Sequence, residues 1–598
     1  MSFSADYAVS PLSESPDRIE EAGRICRSIL AQTPDDAACL QLMGIIECKL
    51  RRPGESEIWF RKSLAVNPDS PETLCSYALA LMMLRQFARA IPLLERATEM
   101  KADFTLALHH LGNAYKENGN IVEAVQTYEK LLTLKPDEVE VMYNLAMLAK
   151  DHGNLPAARA YCERAAGLQP LNPFCINNLG IIWYMMGDYR QALICYRKAL
   201  ELNPEYPEAL SNLSMLMQEM GAFDQAVDYS SRALALKPAY PEALNNFGIS
   251  LKDTGKLAEG IEVLRHAYRL NDQDPEIQYN LAIALLAAGE YGEGWRLHEA
   301  RWKTRFLKDT YRKYPQPVWQ GEAAEGRVLF IHHEQGLGDT LQFCRYAPMA
   351  AALGWRVVME VQQPLLRLMK SLEGVEAVLA RPAEPADFDF HCPMMSLPLA
   401  MQTRFETIPQ SAPYLMADEK EVLEWGNRIA VPGSGKPRVG LVWAGCARLN
   451  TPSLAMTDRR RSISAQMLKP ITQNENFHFF SLQKDGPKAP ETLGLIDLMD
   501  QCRDFADTAA LIANLDLVIA VDTAVAHLAG ALGKPVWVLN RFDSCWRWQR
   551  HSEKTAWYSS MRLFHQPRAG DWASVIARMA AELAGAETDP MIGFGMSK

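Results

Sequence analysis

Several common signals are missing from this sequence of 598 residues, and each absence narrows the class of protein. No run of eighteen apolar residues occurs, so a membrane-spanning helix is not expected. The opening stretch MSFSADYAVSPLSESPDR lacks the basic segment and apolar core of a secretion signal. The twelve cysteines form no C-x-x-C pair, which predicts free thiols and no zinc site. These absences favour a cytoplasmic protein without a bound metal.

Positive charge is also scarce. Lysine and arginine total 62 against 72 aspartates and glutamates, which gives a formal net charge of −10. A general surplus of positive charge that could neutralise phosphates is therefore absent, so nucleic acid is not expected as the main partner. The length exceeds what one hydrophobic core supports, and it predicts two to four domains.

The first half of the chain repeats every 34 residues. Prolines recur in one frame, at Pro34, Pro68, Pro136, Pro170, Pro204 and Pro238. Small residues recur in another, at Ala90, Ala124, Ala158, Ala192, Ala226 and Gly260. Each unit reads as two amphipathic helices that cross at small residues, with proline ending the second helix. The pattern strongly resembles the tetratricopeptide repeat, which implies a superhelical solenoid of about eight units over residues 17–305 with a concave inner face.

Asparagines occupy one frame position in five successive repeats, namely Asn144, Asn178, Asn212, Asn246 and Asn280. Asparagine is a mediocre helix former, so helix propensity does not explain this register. A carboxamide donates and accepts hydrogen bonds, so a ladder of them suits the backbone of an extended polypeptide acceptor. The alternative is that each asparagine bonds a neighbouring helix and only sets the superhelix. The ladder is similar to that in the repeat domain of O-GlcNAc transferase, which favours peptide binding.

The second half alternates short apolar runs with helical segments, which predicts parallel sheets. The expected strands are Val328 to Ile331, Val357 to Val361, Ala377 to Ala380, Phe388 to Cys392, Val439 to Trp443, Phe477 to Leu482, Leu515 to Val521 and Val536 to Leu539. A linker rich in glycine and proline, residues 431–437, divides them into two Rossmann-like lobes, 306–430 and 438–584. A final helix is expected near Trp572 to Leu583, and disorder is expected at residues 1–16 and 585–598.

Two motifs make the resemblance specific: HHEQGLGDTLQF at 332–343 and VDTAVAHLAGALGKPVWVL at 521–539. Both look like the heptosyltransferase-type GT-B glycosyltransferases. The order of repeats followed by two lobes resembles bacterial tetratricopeptide-fused protein glycosyltransferases, including those that modify flagellin. The implied fold class is an α superhelical solenoid followed by an α/β GT-B domain with two Rossmann-like lobes. The implied enzyme works without a metal.

The second motif is expected to bind a nucleotide-sugar donor. A strand ends at Asp522, and the helix that follows offers its first N–H groups to phosphate beside Thr523 and Ala524. The resemblance carries over Asp522, Thr523, Ala524 and His527 as donor contacts; the alternative for His527 is a helix histidine bonded to a loop carbonyl. Candidate cations for the leaving group are Lys484, at a strand end, and Arg461, in an expected loop. In the first motif, the turn at Gly336 and Gly338 is a further anion-binding candidate.

Inverting transfer needs a base that removes the acceptor proton. Asp339 matches the catalytic aspartate position of the heptosyltransferase-like motif; its alternative role is to cap a helix that begins near Thr340. Glu334 and His333 are the competing bases. Gln335, Gln342 and Arg345 could line the same edge. Trp546, Arg547 and Trp548 could stack on the base or sugar of the donor, with internal aromatic packing as the alternative. The pair Asp387 and Asp389 mimics a metal-binding DxD motif but is interpreted as part of a turn and strand.

The sequence therefore predicts an inverting protein O-glycosyltransferase acting on serine or threonine, with flagellin as the expected acceptor. The resemblance favours a CMP-activated nonulosonic donor such as CMP-pseudaminic acid, with UDP-GlcNAc as the alternative. Two other readings remain: a non-catalytic scaffold with a degenerate transferase domain, and a transferase for glycan or lipid acceptors in which the repeats serve localisation.

Overall fold

The structure is a computed structural model, and it describes residues 16–383, 385, 387–410, 412–432, 434–446 and 452–585. The two segments expected to be disordered lie outside these residues, apart from Pro16 and Gly585, which are the terminal residues of the first and last helices. The chain divides into two compact units, residues up to Pro204 and residues from Glu205 onward. In the described residues, no helix is long and apolar enough to cross a membrane.

The repeats form a series of helices, and from α2 to α16 each has 13 or 14 residues. The first unit contains α1 (Pro16–Gln32), α2 (Ala37–Lys49), α3 (Pro53–Val66), α4 (Pro71–Met83), α5 (Phe87–Met100), α6 (Thr105–Asn118), α7 (Ile121–Leu134), α8 (Val139–Asp151), α9 (Leu155–Leu168), α10 (Pro173–Met185) and α11 (Tyr189–Leu202). The second unit begins with α12 (Pro207–Glu219), α13 (Phe223–Leu236), α14 (Pro241–Asp253), α15 (Leu257–Leu270), α16 (Pro275–Ala288) and α17 (Tyr291–His298). The predicted helical repeat is confirmed.

One glycine per repeat makes the turn between the paired helices. Its backbone has a positive φ of 75° to 93°, and the residues are Gly119, Gly153, Gly187, Gly221, Gly255 and Gly289. Such angles are strained for residues with a Cβ, so glycine recurs every 34 residues. The same position holds Arg51 and Arg85 in the first repeats, each at φ 58°.

In alternate pairs, a second glycine lets the two helices approach closely. A Cβ on Gly180 would lie 2.7 Å from Cε1 of Tyr196 in the partner helix. Gly112 faces Tyr128 and Gly44 faces Phe60 in the same way. The large side chain therefore fills the space that the missing Cβ leaves, and the helix pair packs as one unit.

The α/β part of the second unit holds two parallel sheets. The first has the order β3-β2-β1-β4 and consists of β1 (Val328–His332), β2 (Arg356–Val361), β3 (Val375–Ala380) and β4 (Phe390–Pro393). The second has the order β10-β11-β9-β8-β5-β6-β7 and consists of β5 (Arg438–Val442), β6 (His478–Ser481), β7 (Ile496–Asp497), β8 (Leu517–Val521), β9 (Val536–Asn540), β10 (Lys554–Thr555) and β11 (Tyr558–His565). Among the strands of the described residues, β10 and β11 are the one pair that runs antiparallel. This succession of sheets is consistent with the GT-B fold.

Helices of this part are α18 (Leu337–Phe343), α19 (Ala347–Ala352), α20 (Leu366–Met369), α21 (Leu397–Ala400), α22 (Glu419–Arg428), α23 (Pro452–Arg461), α24 (Lys469–Thr472), α25 (Phe505–Ala513), α26 (Ala524–Ala531) and α27 (Trp572–Gly585). All eight expected strands are present, whereas β7, β10 and β11 were not predicted. The helix expected near Thr340 begins earlier, at Leu337. The arginines 459–461, expected in a loop, form the last turn of α23.

Within the second unit, the last repeats pack directly on the α/β part. Trp295 of α17 is 1% exposed and contacts Phe343 and Trp546 edge to face. Trp295 therefore docks the last repeat on the α/β part, whereas Phe306 is 52% exposed.

Two arginines of the α/β part bind the carbonyl ends of repeat helices. Arg550 Nη1 donates to the carbonyl of Asp253 at 3.0 Å, and Arg460 Nη1 donates to that of Glu219. Cations at helix carboxyl ends satisfy unpaired carbonyls and oppose the helix dipole. The turn glycine Gly255 makes room for Arg550, because its Cβ would lie 2.8 Å from Nη1.

The Gly180→Ala variant should lower the thermal midpoint of the first unit by several degrees. Its Cβ collides with Tyr196, and overpacking of this kind costs about 1–3 kcal/mol. The matched control is Gly167→Ala in α9, where nothing lies within 4 Å of the added Cβ. That variant should be neutral or slightly stabilising, since alanine is the better helix former. Circular dichroism melting of the full chain measures both; equal midpoints for the two variants would contradict the packing argument.

Candidate active site

The two motifs meet where α18 of the first lobe packs against α26 of the second. A Cβ on Gly338 would lie 2.9 Å from Cδ2 of His527 and 3.6 Å from the Cα of Ala524. Position 338 therefore needs a glycine for this contact to form. Because α18 follows β1 and α26 follows β8, the contact lies at the carboxyl edges of both sheets, where α/β folds bind ligands.

Asp339 lies in the first turn of α18, and both of its carboxylate oxygens are engaged. Oδ2 accepts the N–H of Gly336 at 2.9 Å, and Oδ1 accepts Nη2 of Arg547 at 2.5 Å. Asp339 therefore caps the helix as predicted, but it does so as the third helical residue, by accepting the N–H of the N-cap residue Gly336. Each carboxylate oxygen can accept a second hydrogen bond, and the side chain is 22% exposed. Capping thus leaves room for proton abstraction.

Arg547 links the two lobes electrostatically. It is 10% exposed, and its Nε donates to Oε1 of Gln342. The neighbouring Trp546 and Trp548 are 5% and 1% exposed, so they pack internally. Stacking on a donor was one sequence interpretation of this segment; the side chain of Arg547 instead forms an ion pair with Asp339.

The amino end of α26 is open to an anion. Thr523 is the N-cap residue, yet its side chain makes no capping hydrogen bond, and its Oγ1 donates to the carbonyl of Val521. The first N–H groups of a helix need an external partner when no cap serves them. The predicted anion site at Thr523 and Ala524 therefore has the required donors.

Arg461 comes to this helix end from α23. Its Nη1 donates to the backbone carbonyl of Asp522 at 2.9 Å, and its Nη2 pairs with Asp458. Within the described residues its buried Nε has no hydrogen-bond partner. The structure thus brings Arg461 to the donor motif, as the sequence interpretation requires.

Sequence reasoning missed Arg541, the first residue after β9. It is 14% exposed, and its Nη1 lies 3.1 Å from Oδ2 of Asp543. Burial lowers the pKa of Arg541, but the carboxylates of Asp543 and Asp522 outweigh burial and raise it. The signal was available, because the carboxyl ends of neighbouring parallel strands converge. We call Arg461, Arg541 and Arg547 the arginine cluster.

His527 is buried and neutral. Its Nδ1 lies 2.9 Å from the hydroxyl of Tyr558, and its ring stacks on Trp548 with centroids 5.3 Å apart. Burial lowers the pKa of His527 to about 4, although the carboxylate of Asp522 opposes the shift. His527 therefore offers no positive charge near neutral pH. Its partner is a tyrosine hydroxyl rather than the loop carbonyl of the alternative interpretation.

Lys484 lies apart from the arginine cluster. Its side chain is exposed, and its Nζ donates to the backbone carbonyl of Cys502. Among the described residues it makes no direct contact with Asp522 or Asp339. Its role as a leaving-group cation stays a prediction.

Glu334 is held in an internal ion pair. Arg301 donates to both of its oxygens, at 2.8 and 3.1 Å, and the N–H of Met395 donates at 2.7 Å. Burial raises the pKa of Glu334, while Arg301 opposes the shift. The side chain is 2% exposed, so an acceptor hydroxyl cannot reach it without breaking this network.

His333 is similarly engaged. Its Nδ1 lies 2.5 Å from Oε1 of the fully buried Glu360. Burial raises the pKa of Glu360, but hydrogen bonds from His333 and Arg312 outweigh burial and lower it to about 2. The two competing bases therefore contact buried partners, and Asp339 is the most exposed of the three.

Other expected edge residues have structural partners. Arg345 is 4% exposed and donates to the carbonyls of Pro409 and Trp557, so it braces the two lobes. The backbone carbonyl of Gln335 accepts from Gln362. Asp389 Oδ2 accepts the N–H of Val328 at 2.7 Å, while Asp387 is exposed. This placement agrees with the interpretation of the DxD pattern as a turn and strand.

The asparagine ladder makes hydrogen bonds between successive repeats. In the first unit, Asn144 Nδ2 donates to Asn113, and the buried Asn178 has no partner for Nδ2 within the described residues. In the second unit, Asn246 Nδ2 donates to Ser211, and Asn280 Nδ2 donates to Asn245 at 3.2 Å. Asn212 lies on α12 and is half-buried. The hydrogen bonds between repeats that the alternative interpretation requires are therefore present. Within the described residues, the Oδ1 atoms of Asn246 and Asn280 accept no hydrogen bond.

Comparison with family models agrees with this division. Tetratricopeptide repeat models match residues 77–139, 109–173, 173–206, 195–228 and 245–294. The model "Glycosyltransferase family 9 (heptosyltransferase)" matches residues 503–565, which hold β8, α26, β9 and two members of the arginine cluster. The chain thus contains tetratricopeptide repeats and a heptosyltransferase-like glycosyltransferase segment.

Among curated relatives, Protein FlbA of Caulobacter vibrioides is 28% identical over 319 residues, which cover 48% of this chain and 52% of the relative. The chain thus spans about half the length of the curated relative it matches. Similar solved structures include the Cut9–Hcn1 hetero-tetramer of the APC/C, with 16% identity, a TM-score of 0.34, and coverage of 47% of this chain and 58% of that one. Pseudomonas aeruginosa pilF has 18% identity and a TM-score of 0.31, with coverage of 35% and 95%.

The second unit should lose stability as the pH falls from about 6.5 towards 4. His527 has a folded pKa of about 4 and takes up its proton later than it does in the unfolded chain. Its stabilising contribution is complete above pH 6.5, is lost through the folded pKa, and amounts to about 3 kcal/mol at most. Urea unfolding followed by tryptophan fluorescence at several pH values measures this dependence.

His527→Gln should flatten the slope of stability against pH, whatever its effect on absolute stability. The matched control is His551→Gln, at an exposed position of the same unit, which should keep the wild-type slope. Equal slopes for wild type and His527→Gln would show that His527 is not held neutral by burial.

Proposed function

We propose that this protein is an inverting protein O-glycosyltransferase of the GT-B type. The observation that carries the proposal is the contact between the Gly338 turn and α26, which joins a candidate base to an open helix amino end and the arginine cluster. Anion-binding donors and a carboxylate within one cleft are what sugar transfer from a nucleotide donor requires.

In the proposed reaction, Asp339 removes the proton of a serine or threonine hydroxyl on the acceptor. The acceptor oxygen forms a bond to the anomeric carbon as the bond from that carbon to the donor phosphate breaks. The electron pair of the broken bond passes to the phosphate oxygen. The amino end of α26 and the arginine cluster stabilise the charge that develops there, so the chemistry needs no metal.

A CMP-activated nonulosonic acid, such as CMP-pseudaminic acid, is the proposed donor. Such a donor carries a phosphate and a sugar carboxylate, and guanidinium groups bind both through paired N–H donors. Arg461 has a buried Nε without a partner in the described residues, which suits a second anionic group. UDP-GlcNAc is the alternative donor, since its diphosphate meets the same helix end.

The proposed acceptor is a protein held along the repeats, with flagellin as the first candidate. In the second unit, Asn246 and Asn280 use their Nδ2 groups between repeats. Their Oδ1 atoms make no hydrogen bond in the described chain and can accept backbone N–H groups of an extended segment. The same side chains can therefore fix the repeat geometry and bind a peptide.

Asp339→Asn should lower the rate of transfer by about 10²–10⁴-fold, because the amide keeps the shape but cannot accept the proton. The measurement is the intact mass of flagellin co-expressed with each variant, in a host shown to contain the donor. Asp387→Asn, at an exposed aspartate, is the matched control and should transfer normally. No mass increment with wild type would favour the scaffold reading or another acceptor; transfer by Asp339→Asn at the wild-type rate would exclude Asp339 as base.

Replacing both Asn246 and Asn280 with alanine should raise KM for the protein acceptor by roughly 10–100-fold, since each hydrogen bond contributes about 1 kcal/mol. Hydrolysis of the donor without acceptor should not change. Asn118→Ala, at an exposed repeat position, serves as control, and melting of each variant checks the repeats. An unchanged KM would indicate a glycan or lipid acceptor that does not use the ladder.

A further inference from the structure

Arg547 is the cation paired with Asp339 within the described residues. Arg461 and Arg541 pair instead with Asp458 and Asp543 of their own lobe. Trp548, the residue after Arg547, stacks on His527 of the second motif, with ring centroids 5.3 Å apart. Arg547 therefore pairs with the candidate base, while its neighbour in the chain contacts the donor motif.

The surroundings of Arg547 fix its guanidinium in place. Its ring neighbours are Trp546 and Phe343, with centroids 4.5 and 5.7 Å from Cζ, and its Nε donates to Gln342. Among the residues that the structure describes, the one hydrogen-bond partner of Nη1 is the sulfur of Cys545, at 3.3 Å. A thiol is a weak acceptor, so a phosphate oxygen would replace it with a gain in energy.

A buried guanidinium requires an anion, because leaving it unpaired costs several kcal/mol. Before transfer, the carboxylate of Asp339 meets this requirement. When Asp339 takes the acceptor proton it becomes neutral, and Arg547 loses its counter-charge. In the same step the leaving phosphate gains one negative charge from the broken bond. The phosphate then supplies the negative charge that pairs with Arg547.

We propose that Arg547 couples proton transfer at Asp339 to departure of the donor phosphate, by exchanging the carboxylate for the phosphate as its anionic partner. The proposal rests on the function proposed above. It makes Arg547 a catalytic residue, since its guanidinium contacts the donor phosphate as well as the base. It also gives an order to the reaction, because the proton is accepted readily only when a leaving phosphate is present. Donor binding therefore precedes activation of the acceptor.

The test compares Arg547→Gln and Arg547→Lys with wild type, using CMP-pseudaminic acid and flagellin. Arg547→Gln should lower kcat by about 10²–10³-fold while KM for flagellin changes less than about threefold. Arg547→Lys should recover part of kcat, because lysine restores the positive charge but not the paired N–H donors of the guanidinium. Millimolar guanidinium should raise the activity of Arg547→Ala. The control Arg568→Gln, whose parent side chain is 85% exposed, should match wild type with and without guanidinium.

A double variant separates coupling from a structural role. If Arg547 acts through Asp339, the variant Asp339→Asn with Arg547→Gln should lose about as much activity as Asp339→Asn alone. The inference would be overturned if the two substitutions lowered activity additively, or if Arg547→Gln kept the wild-type kcat. It would also be overturned if the loss of activity followed a lowered thermal midpoint and guanidinium did not restore it. Absence of transfer by wild type would refute the proposed function, and with it this inference; transfer by wild type together with any of the former results would refute the inference alone.

Discussion

The α/β part of this chain depends on one close contact, in which a glycine of the first lobe meets a histidine of the second. Any side chain at Gly338 would collide with His527, so the contact fixes how near α18 comes to α26. That spacing brings Asp339 into reach of Arg547, although the two residues belong to different lobes. The position of Asp339 relative to Arg547 thus depends on the lack of a Cβ at Gly338, a residue that takes no part in the proposed chemistry.

A second constraint comes from the last repeats, which belong to the same compact unit as the transferase lobes. The segment after β9 serves both parts: Arg550 binds the carboxyl end of α14, while Arg547 pairs with the candidate base. The buried pair of Arg301 and Glu334 ties the last repeat to the first lobe in a similar way. The polar groups that hold the repeats in place therefore lie within a few residues of those proposed to react.

The repeats and eight of the strands were predictable because both depend on periodicity, which is a local property of the sequence. The strand β11 escaped prediction because its residues, Tyr558 to His565, mix polar and apolar side chains without a clear run. The ion pair between Arg547 and Asp339 was not foreseen for another reason, since the two residues are 208 positions apart and belong to different lobes. Arg541 was missed although its partner, Asp543, is close in sequence. A strand end indicates where a side chain points, but only the fold shows which carboxylate it meets. The ladder of asparagines was visible, yet its bonds between repeats were not.

Burial decides among the three candidate bases more sharply than sequence position does. Glu334 and His333 lie just before the glycine turn. Glu334 forms an ion pair with the buried Arg301, and His333 contacts the buried carboxylate of Glu360. Removing such a partner leaves an unpaired buried charge, which is strongly destabilising. Asp339 has an ion pair too, but it is more exposed, and its partner can be served by a phosphate. A base whose counter-charge can be replaced during the reaction can change its protonation state without destabilising the fold, and among the three this condition fits Asp339 best.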